Sequence, residues 1–255
     1  MSDLQITRDA GVAVLTFCRP ERRNALSLGL MRDLDSALAA LSGDGDIRVV
    51  VLTGAGNKAF GAGLDIKEAA MLGKAEQDEQ HGHYESIQRR MAAFPKPLIA
   101  AIEGVAAGAS LQVALHCDLI VVAEGARIGM PELSAGRPCI MGSYLLTSRI
   151  GPVGAARMVL GQDWLNADAA LSLGLASLTT PTGGAIAAAQ AYAEKLAGTA
   201  PNALAATLAW LRQLRNGSAP GLADAFARAD EILPEAAGSD EALAASARFA
   251  EKGNA

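Results

Sequence analysis

The sequence is poor in cysteine, and its cysteines show no metal-binding spacing. The three residues are Cys18, Cys117 and Cys139, an odd number with no C-x-x-C pattern. Such a set supports neither a disulfide framework nor a zinc site. All three lie among apolar neighbours, so we expect buried thiols.

Basic charge and an unbroken apolar stretch are also lacking. The net charge is −5 and the pI is about 5.3, which leaves no general basic field to attract nucleic acid. The most apolar stretch, 98–123, contains Glu103, His116 and Asp118, and these argue against a membrane span. No basic segment followed by an apolar one indicates a signal peptide. We expect a cytoplasmic protein with no nucleic-acid or membrane partner.

Apolar residues are abundant, and their pattern alternates between two types. The 255 residues are 51% hydrophobic, which is enough for one large core. Short apolar runs such as Val49–Leu52 are typical of strands buried on both faces, and helical patterns follow them. This alternation predicts an α/β fold. From about Asn166 the pattern changes to alanine-rich helices. We therefore expect an α/β core over 1–195 and a helical oligomerisation region over 196–255.

Two turns rich in small residues provide the main functional signal. The first spans 53–67 and the second 103–112, and each follows a predicted buried strand. Glycine lets the backbone approach a ligand closely, and a turn that enters a helix aims free N–H groups at it. Asp65 is a suitable N-cap for such a helix. Either turn alone is more often only a turn, but two brought together would offer two N–H donors to one oxyanion.

Further motifs in a fixed order carry a resemblance along nearly the whole chain. Besides both turns, the matching segments are RPERRNAL at 19–26, HCDL at 116–119, MPEL at 130–133, GLA at 174–176 and FAEK at 249–252. With them the sequence resembles the enoyl-CoA hydratase/isomerase (crotonase) family. The resemblance implies a crotonase-like (ClpP/crotonase) spiral of ββα units. It also implies a homotrimer or a dimer of trimers assembled through C-terminal helices.

The resemblance implies a substrate held as a coenzyme A thioester, so that coenzyme A is part of the substrate and no separate cofactor or metal is expected. In the family, two peptide N–H groups bind the thioester oxygen. They map to Leu64 and to Ala109, where the family usually has glycine. A backbone donor does not depend on its side chain, so alanine is tolerable if its φ is negative. An enolate stabilised there accounts for the family's common chemistry.

Two further groups of site residues follow from the resemblance. The candidate coenzyme A contacts are Arg22, Arg23, Ala25, Ala62, Asp65, Ile66, Lys67 and Lys252. The basic side chains among them suit phosphate, although an ordinary surface role is equally open for each. The segment 134–142 departs from the family's glycine-rich stretch, which suggests a non-standard acyl group. Its candidate acyl-pocket residues are Arg137, Cys139, Met141 and Tyr144.

The carboxylates decide which reaction to expect. Hydratases of the family carry two glutamates that hold the added water, and these positions map to Gln112 and Glu132. An amide can orient a water but cannot accept a proton near neutral pH. Acid/base work is then left to Glu132, a pattern similar to the family's Δ3,Δ2-enoyl-CoA isomerases. A structural role for Glu132, capping the turn after Pro131, is the alternative.

Two other functions remain open on the sequence. Gly108-Ala109-Ser110 resembles part of the nucleophile turn of a ClpP-like serine hydrolase, but it lacks the closing glycine of G-x-S-x-G. The three histidines, His81, His83 and His116, stand in no recognisable triad context. The other alternative is an inactive paralogue that only binds acyl-CoA, because one family glutamate is missing. We expect an enoyl-CoA hydratase/isomerase-type enzyme with a single glutamate acid/base.

Overall fold

The computed structural model describes residues 2–215 of the chain. These residues divide into two units between Ala197 and Gly198. Of the predicted oligomerisation region, the part after Arg215, which includes Lys252, lies outside the described residues. No described helix is both long enough and apolar enough to cross a membrane.

Nine strands form two sheets within the described residues. In chain order they are β1 (Leu4–Asp9), β2 (Val12–Phe17), β3 (Val49–Gly54), β4 (Ala59–Gly61), β5 (Leu98–Ile102), β6 (Val105–Ala107), β7 (Leu119–Ala123), β8 (Arg127–Gly129) and β9 (Leu178–Thr180). The larger sheet has the order β1-β2-β3-β5-β7-β9, and the smaller sheet has the order β4-β6-β8. Only β1 and β2 pair antiparallel. Every residue of β3 and β5 is buried, as their continuous apolar runs predict.

Helices follow the strands. They are α1 (Leu28–Gly43), α2 (Ile66–Ala69), α3 (Lys74–Ala92), α4 (Gly108–His116), α5 (Ile140–Val159), α6 (Ala167–Ser172), α7 (Ala185–Ala197) and, in the second unit, α8 (Pro201–Arg215). Short 3-10 helices cover Pro20–Arg22 and Pro131–Ala135. Ser27 caps α1, since its hydroxyl accepts from the Leu30 N–H at 3.0 Å.

The same unit occurs three times along the chain. A strand of the larger sheet leads into a short strand of the smaller sheet, and a helix follows: β3-β4-α3 with α2 before α3, then β5-β6-α4, then β7-β8-α5. These are the expected ββα units, and the α/β prediction is confirmed. Helices cover both faces of the larger sheet. On β3, Val50 and Leu52 belong to the larger core cluster, whereas Val49 and Val51 pack with the alanines of α7 on the other face.

The small sheet brings the two glycine-rich turns together. β4 lies within the first turn and β6 within the second, and they pair in parallel with Ala59 opposite Val105 and Gly61 opposite Ala106. Because α4 starts directly after β6, its N-terminus lies beside the first turn. The pairing of these short strands therefore builds one edge of the cavity described below.

Candidate active site

A cavity of about 530 Å³ lies where the two turns meet. Its walls come from both turns, α3, the 3-10 helix Pro131–Ala135 and the start of α5. The predicted site residues that line it are Ala62, Leu64, Ile66, Ala109, Gln112, Glu132, Arg137 and Met141. The fold thus gathers residues from three successive ββα units into one site. A cavity of this size suits a small-molecule substrate group.

The two turns touch at Gly63. Its φ is +94°, in the region that favours glycine. A Cβ added there would lie 3.1 Å from the Ala107 carbonyl oxygen and 3.5 Å from the Ala109 nitrogen. The Gly63 N–H donates to the Ser110 hydroxyl at 3.0 Å. The first turn is therefore held against the N-terminus of α4 by close backbone packing and a buried hydrogen bond.

Two backbone N–H groups remain available at this contact. Leu26 bonds the groups on either side of Leu64: its N–H donates to the Gly63 carbonyl at 2.8 Å, and its carbonyl accepts from Asp65 at 3.0 Å. Among the described residues, the N–H of Leu64 and that of Ala109 have no acceptor. Ala109 lies in the first turn of α4, and its φ is not positive. Both N–H groups suit an oxyanion, which the N-terminus of α4 would also favour.

A hydrogen-bonded chain of three side chains also lines the cavity. The Tyr84 hydroxyl donates to Gln112 Oε1 at 2.6 Å, and Gln112 Nε2 donates to Glu132 Oε1 at 2.8 Å. Glu132 Oε2 is buried and has no hydrogen-bond partner among the described residues. Of the described residues that line the cavity, Glu132 alone carries a carboxylate.

The contacts of Glu132 differ from those of a capping residue. The 3-10 helix around it starts after Met130 and has no side-chain cap. Its carboxylate bonds to an amide of α4 instead of the turn's own N–H groups. A buried carboxylate oxygen without a partner is costly, and such groups concentrate where a ligand or a proton is to be bound. This arrangement fits acid/base chemistry better than capping.

Tyr84 is the site residue that the sequence analysis missed. It lies on α3 with Gln77, Gln80 and His81, and all four line the cavity. Their spacing places them on one face of the helix. Burial and the nearby charge of Glu132 raise the pKa of Tyr84, so the hydroxyl remains a neutral donor. Nothing in the sequence of this polar helix shows which of its faces meets the cavity.

The predicted coenzyme A contacts are only partly brought together. Ala62 and Ile66 line the cavity, and Ile66 is 53% exposed. Arg22, Arg23 and Lys67 are exposed and lie outside the lining. Their positions are compatible with either phosphate contacts or an ordinary surface role.

Two of the predicted coenzyme A contacts, Ala25 and Asp65, are buried in the protein. Ala25 is buried, and its carbonyl accepts from Arg19 Nη1 at 2.6 Å. Asp65 is 7% exposed, and its carboxylate accepts from the Glu68 N–H at 3.1 Å and from Arg19 Nη2 at 3.0 Å. Burial alone would raise the pKa of Asp65, but these two contacts outweigh it and lower the pKa. The carboxylate caps α2, so a side-chain contact to an anionic ligand is not expected.

Two of the predicted acyl-pocket residues lie outside the cavity lining. Cys139 is 6% exposed, and its Sγ lies so close to Gly142 that a Cβ there would clash with it. It is the N-cap residue of α5 and is not among the residues that line the cavity. Burial and the charge of Glu132 raise the pKa of Cys139 to about 11. Tyr144, one helical turn into α5, is 48% exposed.

Ser110 has the environment of a structural residue. It is fully buried, and its hydroxyl accepts from Gly63 as described. Two of the three histidines bond elsewhere: His116 Nε2 lies 2.5 Å from Gln88 Oε1, and His83 Nδ1 lies 3.2 Å from Asp35. His81 lines the cavity from α3, but no hydrogen bond joins it to Ser110. A serine nucleophile needs a hydrogen-bonded base and access to substrate, and these contacts supply neither.

Comparisons with known proteins agree with this geometry. The model of the enoyl-CoA hydratase/isomerase family matches residues 7–255. The 2,3-dehydroadipyl-CoA hydratase of Escherichia coli (strain K12) is 38% identical over 216 residues, 84% of this chain and 83% of the relative. The short-chain-enoyl-CoA hydratase of Clostridium acetobutylicum is 30% identical over 205 residues, which cover 80% of this chain and 78% of the relative.

Solved structures extend the likeness to the fold. The crystal structure of an enoyl-CoA hydratase from Polaromonas sp. JS666 has a TM-score of 0.88 and 28% identity, and the match covers 98% of this chain and 97% of that chain. The predicted crotonase-like α/β fold is thereby confirmed.

Proposed function

Because the chain belongs to the enoyl-CoA hydratase/isomerase family, we propose that it acts on acyl-CoA thioesters through an enolate, with Glu132 as the only general acid/base. The observation that carries this proposal is the hydrogen-bonded chain Tyr84–Gln112–Glu132. In it, the Gln112 oxygen accepts from Tyr84 and the Gln112 nitrogen donates to Glu132. The reaction favoured is transfer of a proton between carbon atoms of an enoyl-CoA.

The enolate would be held by the paired turns. The N–H groups of Leu64 and Ala109 form the oxyanion hole, since both lack an acceptor among the described residues and both residues line the cavity. Removal of the α-proton places negative charge on the thioester oxygen, and preorganised donors stabilise that charge more than the neutral carbonyl. In similar sites, one such donor contributes about 10²–10³ in kcat.

One carboxylate is sufficient for the proposed proton transfer. Glu132 takes a proton from C2 of a 3-enoyl-CoA, and the electron pair moves into the thioester enolate. The protonated Glu132 then returns the proton to C4, while the double bond forms between C2 and C3. No atom is gained or lost, and Glu132 ends in the state in which it began.

Addition of water needs more than Glu132 supplies in this arrangement. A bound water nucleophile must give up one proton while another proton is delivered to carbon. Gln112 Oε1 already accepts from Tyr84, and one Nε2–H is bonded to Glu132. One amide N–H and one lone pair of Oε1 are left for a ligand; they can orient a water, but neither can take its proton near neutral pH. We therefore expect hydration to be slower than proton transfer.

Deuterium incorporation tests the proposal. In deuterated water, mass spectrometry of 2-enoyl- and 3-enoyl-CoA thioesters of varied chain length should show interconversion and carbon-bound deuterium without net gain of water. Glu132→Gln should lower both rates by about 10²–10⁴-fold and leave the affinity for acyl-CoA nearly intact. Glu124→Gln is the matched control, because Glu124 is exposed and outside the cavity lining.

Two results would contradict the proposal. Unchanged activity in Glu132→Gln would remove Glu132 from the acid/base role. Tight acyl-CoA binding by the unmodified protein, without exchange, isomerisation or hydration of any thioester, would instead identify an acyl-CoA-binding protein without catalysis.

A further inference from the structure

Tyr84 lies where it can control how Gln112 is used. It reaches the cavity from α3, whereas Gln112 is on α4 and Glu132 on the 3-10 helix after β8. Its hydroxyl lies 2.6 Å from Gln112 Oε1. The ring is partly buried against the larger core cluster, so the hydroxyl is held by packing as well as by its hydrogen bond. A fixed donor at this distance constrains the amide.

An amide side chain has two faces with opposite hydrogen-bonding character. The carbonyl oxygen only accepts and the NH₂ group only donates, and exchange of the two requires just a rotation about one bond. With Oε1 turned toward Glu132, two acceptor oxygens would face each other at 2.8 Å, the distance now spanned by Nε2 and Glu132 Oε1. An ionised Glu132 excludes that orientation.

Protonation of Glu132 during catalysis would allow the flipped orientation of the Gln112 amide for part of each catalytic cycle. Once Glu132 carries the substrate proton, its carboxyl can donate, and the flipped amide becomes a good acceptor. Tyr84 opposes the flip, because the flip would break the hydrogen bond that its hydroxyl donates to Oε1 at 2.6 Å and leave the phenolic oxygen to accept from the NH₂ group instead. Hydrogen bonds in such a chain also strengthen one another.

We propose that Tyr84 is a positioning residue that keeps the Gln112 Nε2–H directed at Glu132 throughout the proton-transfer cycle. This inference rests on the proposed function for its effect on turnover, but its structural part can be measured without any activity. Tyr84 touches Gln112 rather than the reacting atoms, so its influence on catalysis passes through the amide.

A double-mutant cycle separates this role from simple packing. Tyr84→Phe keeps the ring and removes the hydroxyl, and we expect about a tenfold lower kcat with little change in KM, which is the effect of one lost hydrogen bond of this kind. In the background Gln112→Met, which lacks the amide, Tyr84→Phe should have no further effect on kcat. Tyr192→Phe is the matched control, since Tyr192 packs on α7 with the second core cluster.

Side-chain amide NMR provides the readout that does not depend on turnover. The Gln112 NH₂ signals are identified by their loss in Gln112→Met, and their exchange with solvent should be about fivefold faster in Tyr84→Phe than in the unmodified protein. Equal exchange in both proteins would overturn the proposal even if the enzyme proved inactive. An equal fall of kcat in both backgrounds would also overturn it, because the effect would then bypass Gln112.

Discussion

The contact between the two turns makes a substitution of Gly63 by alanine especially informative. Gly63 combines a φ of +94° with a backbone oxygen and a backbone nitrogen close to the position of a Cβ. The oxygen belongs to Ala107, the residue that precedes α4, and the nitrogen is the proposed oxyanion donor of Ala109. A methyl group at Gly63 therefore acts directly on the pair of N–H groups.

The expected cost has two components. The left-handed backbone of a non-glycine residue costs about 1–3 kcal/mol, which lowers the Tm by about 2–4 °C per kcal/mol for a domain of this size. The second component comes from the 3.1 Å approach to the Ala107 oxygen, which forces the turns apart by a few tenths of an ångström. Because an oxyanion hole depends on donor position, we expect kcat to fall by about 10²–10³.

Gly56→Ala separates the two components. Gly56 lies in the same turn with a φ of +74°, but a Cβ there meets only the Pro20 side chain, at 3.8 Å. Both variants should lose comparable stability in thermal unfolding, and only Gly63→Ala should lose kcat in the deuterium assay. Wild-type kcat in folded Gly63→Ala, or an equal loss in Gly56→Ala, would refute the oxyanion-hole geometry.

Two further predictions concern charges around the site. Asp65→Asn should lower the free energy of unfolding by about 1.5–3 kcal/mol near neutral pH, since the charge-assisted bond to Arg19 is lost. The folded-state pKa of Asp65 is lowered, so its contribution to stability is complete above the unfolded pKa of about 3.9 and is lost as pH falls through the folded-state pKa. Urea midpoints measured from pH 7 to pH 3 should therefore fall less steeply in the variant than in the unmodified protein. Cys139, whose pKa is raised to about 11, should resist iodoacetamide at pH 8 and react faster in Glu132→Gln, because one cause of the raised pKa is removed. Alkylation at the same rate in both proteins would show that Glu132 does not act on this thiol.

Long buried elements were predictable from the sequence, and short ones were not. β3 and β5 follow from their continuous apolar runs, and α1 from its leucine spacing and the Ser27 cap. β4 and β6 have three residues each and lie inside turns of small residues. Local propensity is too weak to define such strands, since their stability comes from pairing with partners distant in the chain. The same weakness applies to α5, where Gly151 and Pro152 interrupt the helical pattern.

The candidate site also contains some features that the sequence predicts and others that only the structure shows. The two turns could be found because glycine permits the positive φ and the close backbone approach that their contact needs, and such a requirement leaves a local trace in sequence. The roles of Leu64 and Ala109 within them came from the family resemblance and stay predictions. Asp65 was predicted both as an N-cap and as a ligand contact, and its carboxylate caps α2 and pairs with Arg19. A cap and a ligand contact draw on the same residue types. Only the direction of the side chain separates them.

The chemistry of position 112 shows where sequence reasoning reaches its end. The change from glutamate to glutamine predicts the loss of one proton acceptor, and this follows from the functional group alone. Whether the amide then orients a water or supports Glu132 depends on what holds its oxygen. The structure places the Tyr84 hydroxyl there, from a helix 28 positions earlier in the chain. The role of Gln112 is therefore set jointly with Tyr84, and a relative with glutamine at this position but no hydroxyl on α3 should use that glutamine differently.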